Sequence, residues 1–512
     1  MALLRSIVTV GSITMVSRVF GFARDILIAA NLGAGMVADV FFVAFKFPNL
    51  FRRLFAEGAF SMAFVPIFAG ILEEEGKAKA KEFADQAMGI LLSGLLVLVV
   101  IVEITMPWVM RVFSPGFLDD PRKFDLAVEL TRITFPYILL ISLVSLFAGI
   151  LNSFGKFAAA AATPILLNLL LIGALLFWVP MSKSPGHTLA WAIFLAGFVQ
   201  LIWIALHCGK NGVWFYRPIL AFSENVRLLL VRALPVALGA GVYQINLLVD
   251  TIIASFLPEG SISYLFFADR VNQLPLGVVG VAVGTALLPL LSRQIKAGDE
   301  VAAQNSQNRA VEFSILLTVP AACALFVMAD PVVKVLFQRG AFGDIQASAT
   351  AAALTMFALG LPAYVLIKSL APSFFGRGDT VTPVKIAAVA MIVNVVLSVI
   401  LMQFYLHVGI AMATTASSWL NAGVMAFILY KRGHFVLDDR LRNRIPRTLF
   451  ASTGMSLALY FAVAELAPWL GSGAEFERFF ALAALVFGGV ASFGALALIS
   501  GAVERRDVNC LH

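Results

Sequence analysis

Charge is scarce in this 512-residue chain: 13% of its residues are Asp, Glu, Lys or Arg, and 60% are apolar. A water-soluble domain carries about 25% charged residues. So little polar surface cannot cover a body of this size in water, and the mean hydropathy of +0.93 agrees. A soluble enzyme is excluded, and the solvent for most of the chain is lipid. Cysteine is nearly absent. Cys208, Cys323 and Cys510 are too scattered for a disulfide framework or metal-ligand spacing, and read as small inert hydrophobes. The histidines (His187, His207, His407, His434 and His512) lie far apart, at or near expected loops or helix ends, so no metal site is expected from them. Neither a G-x-S-x-G elbow nor a G-x-x-x-x-G-K-[ST] phosphate loop occurs. The chain is therefore expected to be no enzyme and to need no cofactor. Uphill transport would draw on an ion gradient, the membrane potential or removal of product. An A-x-A-like cleavage site is also missing behind the first apolar run, which continues into Arg18, Arg24 and Asp25. That run is expected to be a retained first helix rather than a signal peptide.

Apolar stretches of the roughly 20 residues needed to span hydrocarbon recur along the whole chain. About fourteen are expected, near 6–32, 38–71, 85–112, 126–152, 160–180, 188–208, 224–256, 263–292, 310–337, 346–375, 384–404, 409–430, 447–467 and 477–500. Their alternate connections differ sharply in Lys and Arg. One set holds Lys77, Lys79, Lys81, Lys156, Lys210, Arg217, Arg293, Lys296, Arg377 and the basic segment 431–447. The other holds only Arg122, Lys123, Lys183 and Arg339. The positive-inside rule puts the first set, and both termini, in the cytoplasm. The net charge of +7 reflects this bias and not a nucleic-acid partner.

A weak internal repeat runs through the pattern. Asp25 matches Asp250, and Pro66 matches Pro289. Phe154-Gly155 followed by Thr163-Pro164 echoes Phe375-Gly376 followed by Thr382-Pro383. Both copies start on the same side after six helices, so the repeat is parallel and implies a site between two lobes. The expected fold is an all-α polytopic membrane protein of two pseudo-symmetric six-helix lobes, 1–222 and 223–432, followed by two extra helices and a tail in 433–512.

Ionisable residues inside the spans cost about 2.5–3.5 kcal/mol or more each at a helix centre, so they seldom face lipid. They gather in the first two helices of each lobe: Arg18, Arg24, Asp25, Asp39, Lys46, Arg52, Arg53 and Glu57 in the first, Asp250, Asp269 and Arg270 in the second, with Lys368 further on. A water-filled cavity between these helices would hold them at least cost. In the first pair, five cations face three anions. This surplus suits an anionic substrate such as a pyrophosphate, which guanidinium groups bind bidentately; a pump for lipophilic cations should show the reverse. Arg53 and Glu57, four apart, have the spacing of an intrahelical pair. Arg18 reads either as a ligand or as a clamp on Asp25. Gly21, Pro48 and Pro275 are candidate bend points.

The stretch VSRVFGFARD (16–25), continuing through ADVFFVAFKFPNLFRRLFAEGAFSMAFVPIF (38–68), resembles the MurJ/MviN family of lipid II flippases. So do FPYILLISLVSLFAGILN (135–152) and FADRVNQLPLGVVGVAVGTALLP (267–289). The resemblance implies two six-helix lobes plus two helices that form a lipid-facing groove. It implies carriage of undecaprenyl-pyrophosphate-linked disaccharide-pentapeptide from the inner to the outer leaflet of the bacterial inner membrane by alternating access. The family's essential arginines match Arg18, Arg24, Arg52 and Arg270; Asp25, Asp39, Asn49 and Glu57 match further cavity or gating positions. Some members resemble one another in a cation site, matched here by Asp250, Asn394 and Thr414, but Ser398 stands where they carry an acid. Two readings of Asp250 stay open: a ligand for Na+ or H+, or a hydrogen-bond partner between helices. The expected partners are lipid II, membrane lipids and the cell-wall synthesis machinery, with the chain a monomer. The alternatives are a flippase for another lipid-linked oligosaccharide and a multidrug antiporter of the same architecture.

Overall fold

The computed structural model describes residues 2–52, 60–210, 218–471 and 473–503, with side-chain positions for all of these except 2–8, 236–247 and 278–286. Its helices are α1 (Ala2–Leu32), α2 (Met36–Phe51), α3 (Ser61–Glu74), α4 (Lys77–Phe113), α5 (Pro121–Thr134), α6 (Tyr137–Ser153), α7 (Phe157–Gly173), α8 (Pro185–Lys210), α9 (Glu224–Ser255), α10 (Ser261–Lys296), α11 (Glu300–Phe337), α12 (Asp344–Gly376), α13 (Val381–Lys431), α14 (Asp439–Leu470) and α15 (Glu475–Ile499). No strand occurs among the described residues. Hydrocarbon offers no partner for a backbone N–H or C=O, so a spanning segment must satisfy them internally as a helix. Nine helical stretches among the described residues are long and apolar enough to cross a membrane.

Two expected spans, 38–71 and 126–152, show internal structure that the hydropathy pattern hides. The span at 38–71 comprises α2 and α3, with 53–59 outside the described residues. The span at 126–152 comprises α5 and α6, which meet at Phe135 and Pro136; Pro136 brings no N–H to a continuing helix. The two spans at 384–404 and 409–430 form α13, broken at Leu406 (φ 50°, ψ −131°). A Cβ on Gly409 would lie 2.4 Å from the Leu401 carbonyl oxygen. In a straight helix those residues would be about 12 Å apart, so the chain folds back at Leu406 and α13 consists of two helical arms.

The helices fall into two compact units, 1–263 and 264–512. In the first, α1 packs on α7, α2 on α5, and α8 on both α6 and α7. Gly197 makes the α6–α8 approach close: a Cβ there would lie 2.7 Å from Leu140 and 2.9 Å from Tyr137. In the second unit, α11 packs on α12 and α14, α12 on α13, and α14 on α15. A core of Val311, Leu370, Phe374, Met425, Leu429 and Leu441 joins α11 to α14. The repeat falls at corresponding places: Phe154-Gly155 follows α6, Phe375-Gly376 closes α12, and the Thr-Pro pairs lie in the helices that come next, α7 and α13.

Candidate substrate site

Arg24 and Asp25 sit side by side on α1, and both are buried. The Arg24 guanidinium donates through Nε (2.9 Å) and Nη2 (2.7 Å) to Asp25 Oδ1, and through Nη1 to Asn168 Oδ1 (2.8 Å) on α7. It also stacks 5.4 Å from the Phe45 ring of α2. Asn168 uses its amide to donate to the Ser17 carbonyl (3.1 Å). Gly21 faces Asn168, with space for no more than van der Waals contact at a Cβ. Gly21 thus serves the α1–α7 approach, and α1 is helical through it. The guanidinium is fixed in orientation by a neutral and a charged acceptor on two helices.

Arg18 is exposed, one and a half turns before Arg24 on α1. Arg52, half-buried beyond the end of α2, donates from Nε to Asn49 Oδ1 (3.1 Å). Asn49 in turn donates to the Phe45 carbonyl (2.7 Å). Lys46 is exposed and reaches Thr251 Oγ1 of α9 at 3.5 Å. Glu57 and Arg53 lie outside the described residues.

Asp39 has a different setting from the one expected for a cavity residue. It is 1% exposed. Its Oδ2 accepts from the Gly260 N–H (2.8 Å), and its Oδ1 from the N–H (2.9 Å) and hydroxyl (2.7 Å) of Ser263. Gly260 and Ser263 are the start of α10, so Asp39 caps from α2 the N–H groups that a helix end leaves unsatisfied. Its cationic partner is Lys123 of α5, 3.4 Å away and 4.4 Å from the Phe117 ring.

In the second unit, Arg270 stacks 4.7 Å over Phe266 on α10, and the neighbouring Asp269 accepts from Gln273 at 2.5 Å. Asn394 and Ser398 are buried on one face of α13, four residues apart. Thr414 donates to Ile410 of its own helix (3.0 Å). Asp250, of the first unit, is half-buried on α9. No group of three or more His, Cys, Asp or Glu suited to a metal ion occurs among the described residues.

The family model for lipid II flippase MurJ matches residues 28–479. A probable lipid II flippase MurJ of Rhizobium tropici is 43% identical over 509 residues, covering 98% of this chain and 95% of that protein. The chain belongs to the lipid II flippase MurJ family. A solved MurJ structure in an inward-closed conformation matches the fold with a TM-score of 0.79 at 25% identity, covering 96% of this chain and 98% of that one. An inward-facing multidrug-resistance transporter of the MATE family shares the fold at 16% identity, with a TM-score of 0.67 over 83% of this chain and 97% of that one. MurJ family membership and the apolar helices make this a multi-pass inner-membrane protein.

Two residues that bond Arg24 and Asp39 are not evident from the charge pattern of the sequence. Asn168 is a single polar residue in the apolar run TPILLNLLLIG, and an isolated amide at mid-membrane is itself a signal of an interhelical bond. Lys123 was grouped with loop cations, yet it is 6% exposed. The amphipathic pattern of α5, with its burial of Ala127, Val128 and Leu130, carries that information.

Proposed function

We propose that this chain moves lipid II from the inner to the outer leaflet by alternating access, with arginines receiving the pyrophosphate. The observation that carries the reading is Arg24: a buried guanidinium, aimed by Asp25 and Asn168, on a helix pair whose cations outnumber its anions. Pairing with guanidinium offsets the cost of drawing phosphates out of bulk water, and the prenyl tail stays in lipid. Arg18, Arg52 and Arg270 are the further ligands in this reading, with Asn49 positioning Arg52. Asp39 holds one end closed through Lys123 and α10, and Glu57 serves a second gate. The lobes 1–222 and 223–432 rock about the site, and no covalent step is needed. Both termini lie in the cytoplasm by the loop charges. The chain works as a monomer beside the cell-wall synthesis machinery. The driving force is the membrane potential or a monovalent cation, Na+ or H+, held by Asp250, Asn394 and Thr414.

Complementation of a strain depleted of its lipid II flippase tests this. Arg24→Ala is expected to abolish growth at normal protein abundance, and Arg24→Lys to restore little, because an ammonium cannot bind bidentately. Full growth on Arg24→Ala would remove the phosphate role. Efflux of cationic dyes by the unaltered chain would favour the multidrug reading instead.

A further inference from the structure

A cavity in the second unit lies where α11 ends, α12 begins and α14 meets α15. It has a volume of about 350 Å³ and is formed by Asp330, Pro331, Lys334 and Gln338 of α11 and its cap, Asp344 of α12, Val463, Ala467, Leu470 and Gly471 of α14 and its cap, and Arg478 of α15. That is the small end of the range for ligand pockets, about 300–1,000 Å³.

Its polar side is built and electrically balanced. Lys334 pairs with Asp330 (3.1 Å) and Asp344 (3.4 Å). Arg478 donates from Nη2 to the Lys334 carbonyl (2.7 Å) and to Gln338 Oε1 (3.3 Å), and from Nη1 to the Gln338 carbonyl (3.4 Å). This places a guanidinium at the carbonyl end of α11, where cations are favoured. The Arg478 Nε is buried and meets no acceptor among the described residues. The two carboxylates keep open faces, with Asp330 52% and Asp344 68% exposed. Two cations and two anions thus line one cavity, with Lys334 joined to both carboxylates and Arg478 bonded to the last carbonyls of α11.

The other side is apolar, and the surroundings are membrane. Trp469, Phe476, Phe479 and Phe480 flank the cavity and are more than half exposed. An exposed aromatic group at the ends of two apolar helices marks the boundary between headgroups and acyl chains. The connections at this end belong to the set poor in Lys and Arg, which places the cavity in the outer leaflet.

We propose that this cavity binds the headgroup of a phospholipid bearing a primary amine, phosphatidylethanolamine. The phosphate meets Arg478 and Lys334, the ammonium meets Asp344 and Asp330, and the acyl chains run along Val463, Ala467 and the exposed rings. A net-neutral lining complements a zwitterion. An anionic headgroup would leave the two aspartates facing a phosphate, and a lipophilic cation would leave Arg478 opposed.

The full chain, purified in detergent, is titrated with phosphatidylethanolamine, phosphatidylcholine and phosphatidylglycerol of identical acyl chains, and bound lipid is counted by native mass spectrometry. Phosphatidylethanolamine should be retained roughly tenfold more tightly than phosphatidylglycerol, a difference of about 1.4 kcal/mol. Phosphatidylcholine should fall between, since its methylated amine cannot donate to a carboxylate. Asp344→Asn should weaken phosphatidylethanolamine and leave phosphatidylglycerol unchanged or tighter. Arg478→Gln should weaken all three. Equal retention of the three lipids, preference for phosphatidylglycerol, or unchanged selectivity in Asp344→Asn would overturn the proposal. Asp344 is exposed on the first turn of α12, so its variant carries the test even where Arg478→Gln fails to fold.

Discussion

Asp39 in the first unit and Glu312 in the second are both buried carboxylates that tie helices together, yet they are satisfied in opposite ways. Asp39 gathers two backbone N–H groups, one hydroxyl and a single ammonium. Glu312 of α11 gathers three guanidiniums: Arg309 from its own helix, and Arg440 (3.2 Å) and Arg444 (2.5 Å) from α14. Arg309 also pairs with Asp438, which caps α14. The first arrangement is mostly dipolar and the second is charge against charge. A buried ion pair contributes little over an apolar contact, but removing one partner is severe, because the other charge is left uncompensated. Glu312 is therefore a rivet for α14 made of charge, whereas Asp39 is held mainly by hydrogen bonds from the start of α10.

Substitution at Glu312 should separate the two most strongly. Glu312→Ala leaves Arg444, 5% exposed, beside two other cations, and should cost about 3–5 kcal/mol, read as a fall in thermal unfolding temperature in detergent. Glu312→Gln should be nearly as damaging, since the negative charge is what matters there. At Asp39 the two variants should diverge. Asp39→Ala removes the acceptor for α10 and strands the buried Lys123, so it should cost as much as breaking a buried pair, about 3–5 kcal/mol. Asp39→Asn keeps an oxygen for α10 and should retain at least half of the difference. Equal losses for both Asp39 variants would break the contrast.

A smaller effect is expected from pH at the loop that leads into the Glu312 rivet. Burial, with Arg377 and Arg432 nearby, pushes His434 below its ordinary value of 6.5, against a weaker opposing pull from Glu300. The unfolded chain then takes up this proton first, so stability is full above pH 6.5 and declines as pH falls below it. His434→Gln should flatten that slope in a pH series of unfolding temperatures. Asp379 is held well below the usual carboxylate range by hydrogen bonds from Arg432 and Thr382, so its contribution persists until strong acid. The smallest effect belongs to Lys79–Glu82, an exposed i,i+3 pair at 3.1 Å. Glu82→Gln should change stability by less than about 0.5 kcal/mol, and it supplies the baseline for the buried carboxylates.

Much of the fold was legible because lipid leaves a segment of twenty apolar residues little choice but helix. The break near Leu406 was legible as the gap between the spans 384–404 and 409–430, but its tightness was not, because no glycine or proline occupies the turning residue; Gly409, three positions on, supplies the room instead. At the candidate site, Arg24 and Asp25 stood out as charges amid apolar sequence. Their third partner, Asn168, is 144 residues away, and spacing along one helix says nothing about contacts between helices. Asp39 was visible as an intramembrane acid, but its acceptor role toward α10 depends on backbone N–H groups, which leave no mark in residue identity. The basic segment 431–447 read as a cytoplasmic flank. Glu312, at the edge of an apolar span, turns its arginines into an internal clamp.

The Asp39 cap has a kinetic consequence. One carboxylate on α2 bonds both α5 and the beginning of α10, so moving α2 away breaks both sets of contacts together. Displacement of α2 from its two neighbours would be one cooperative step, and weakening either set of contacts should speed it.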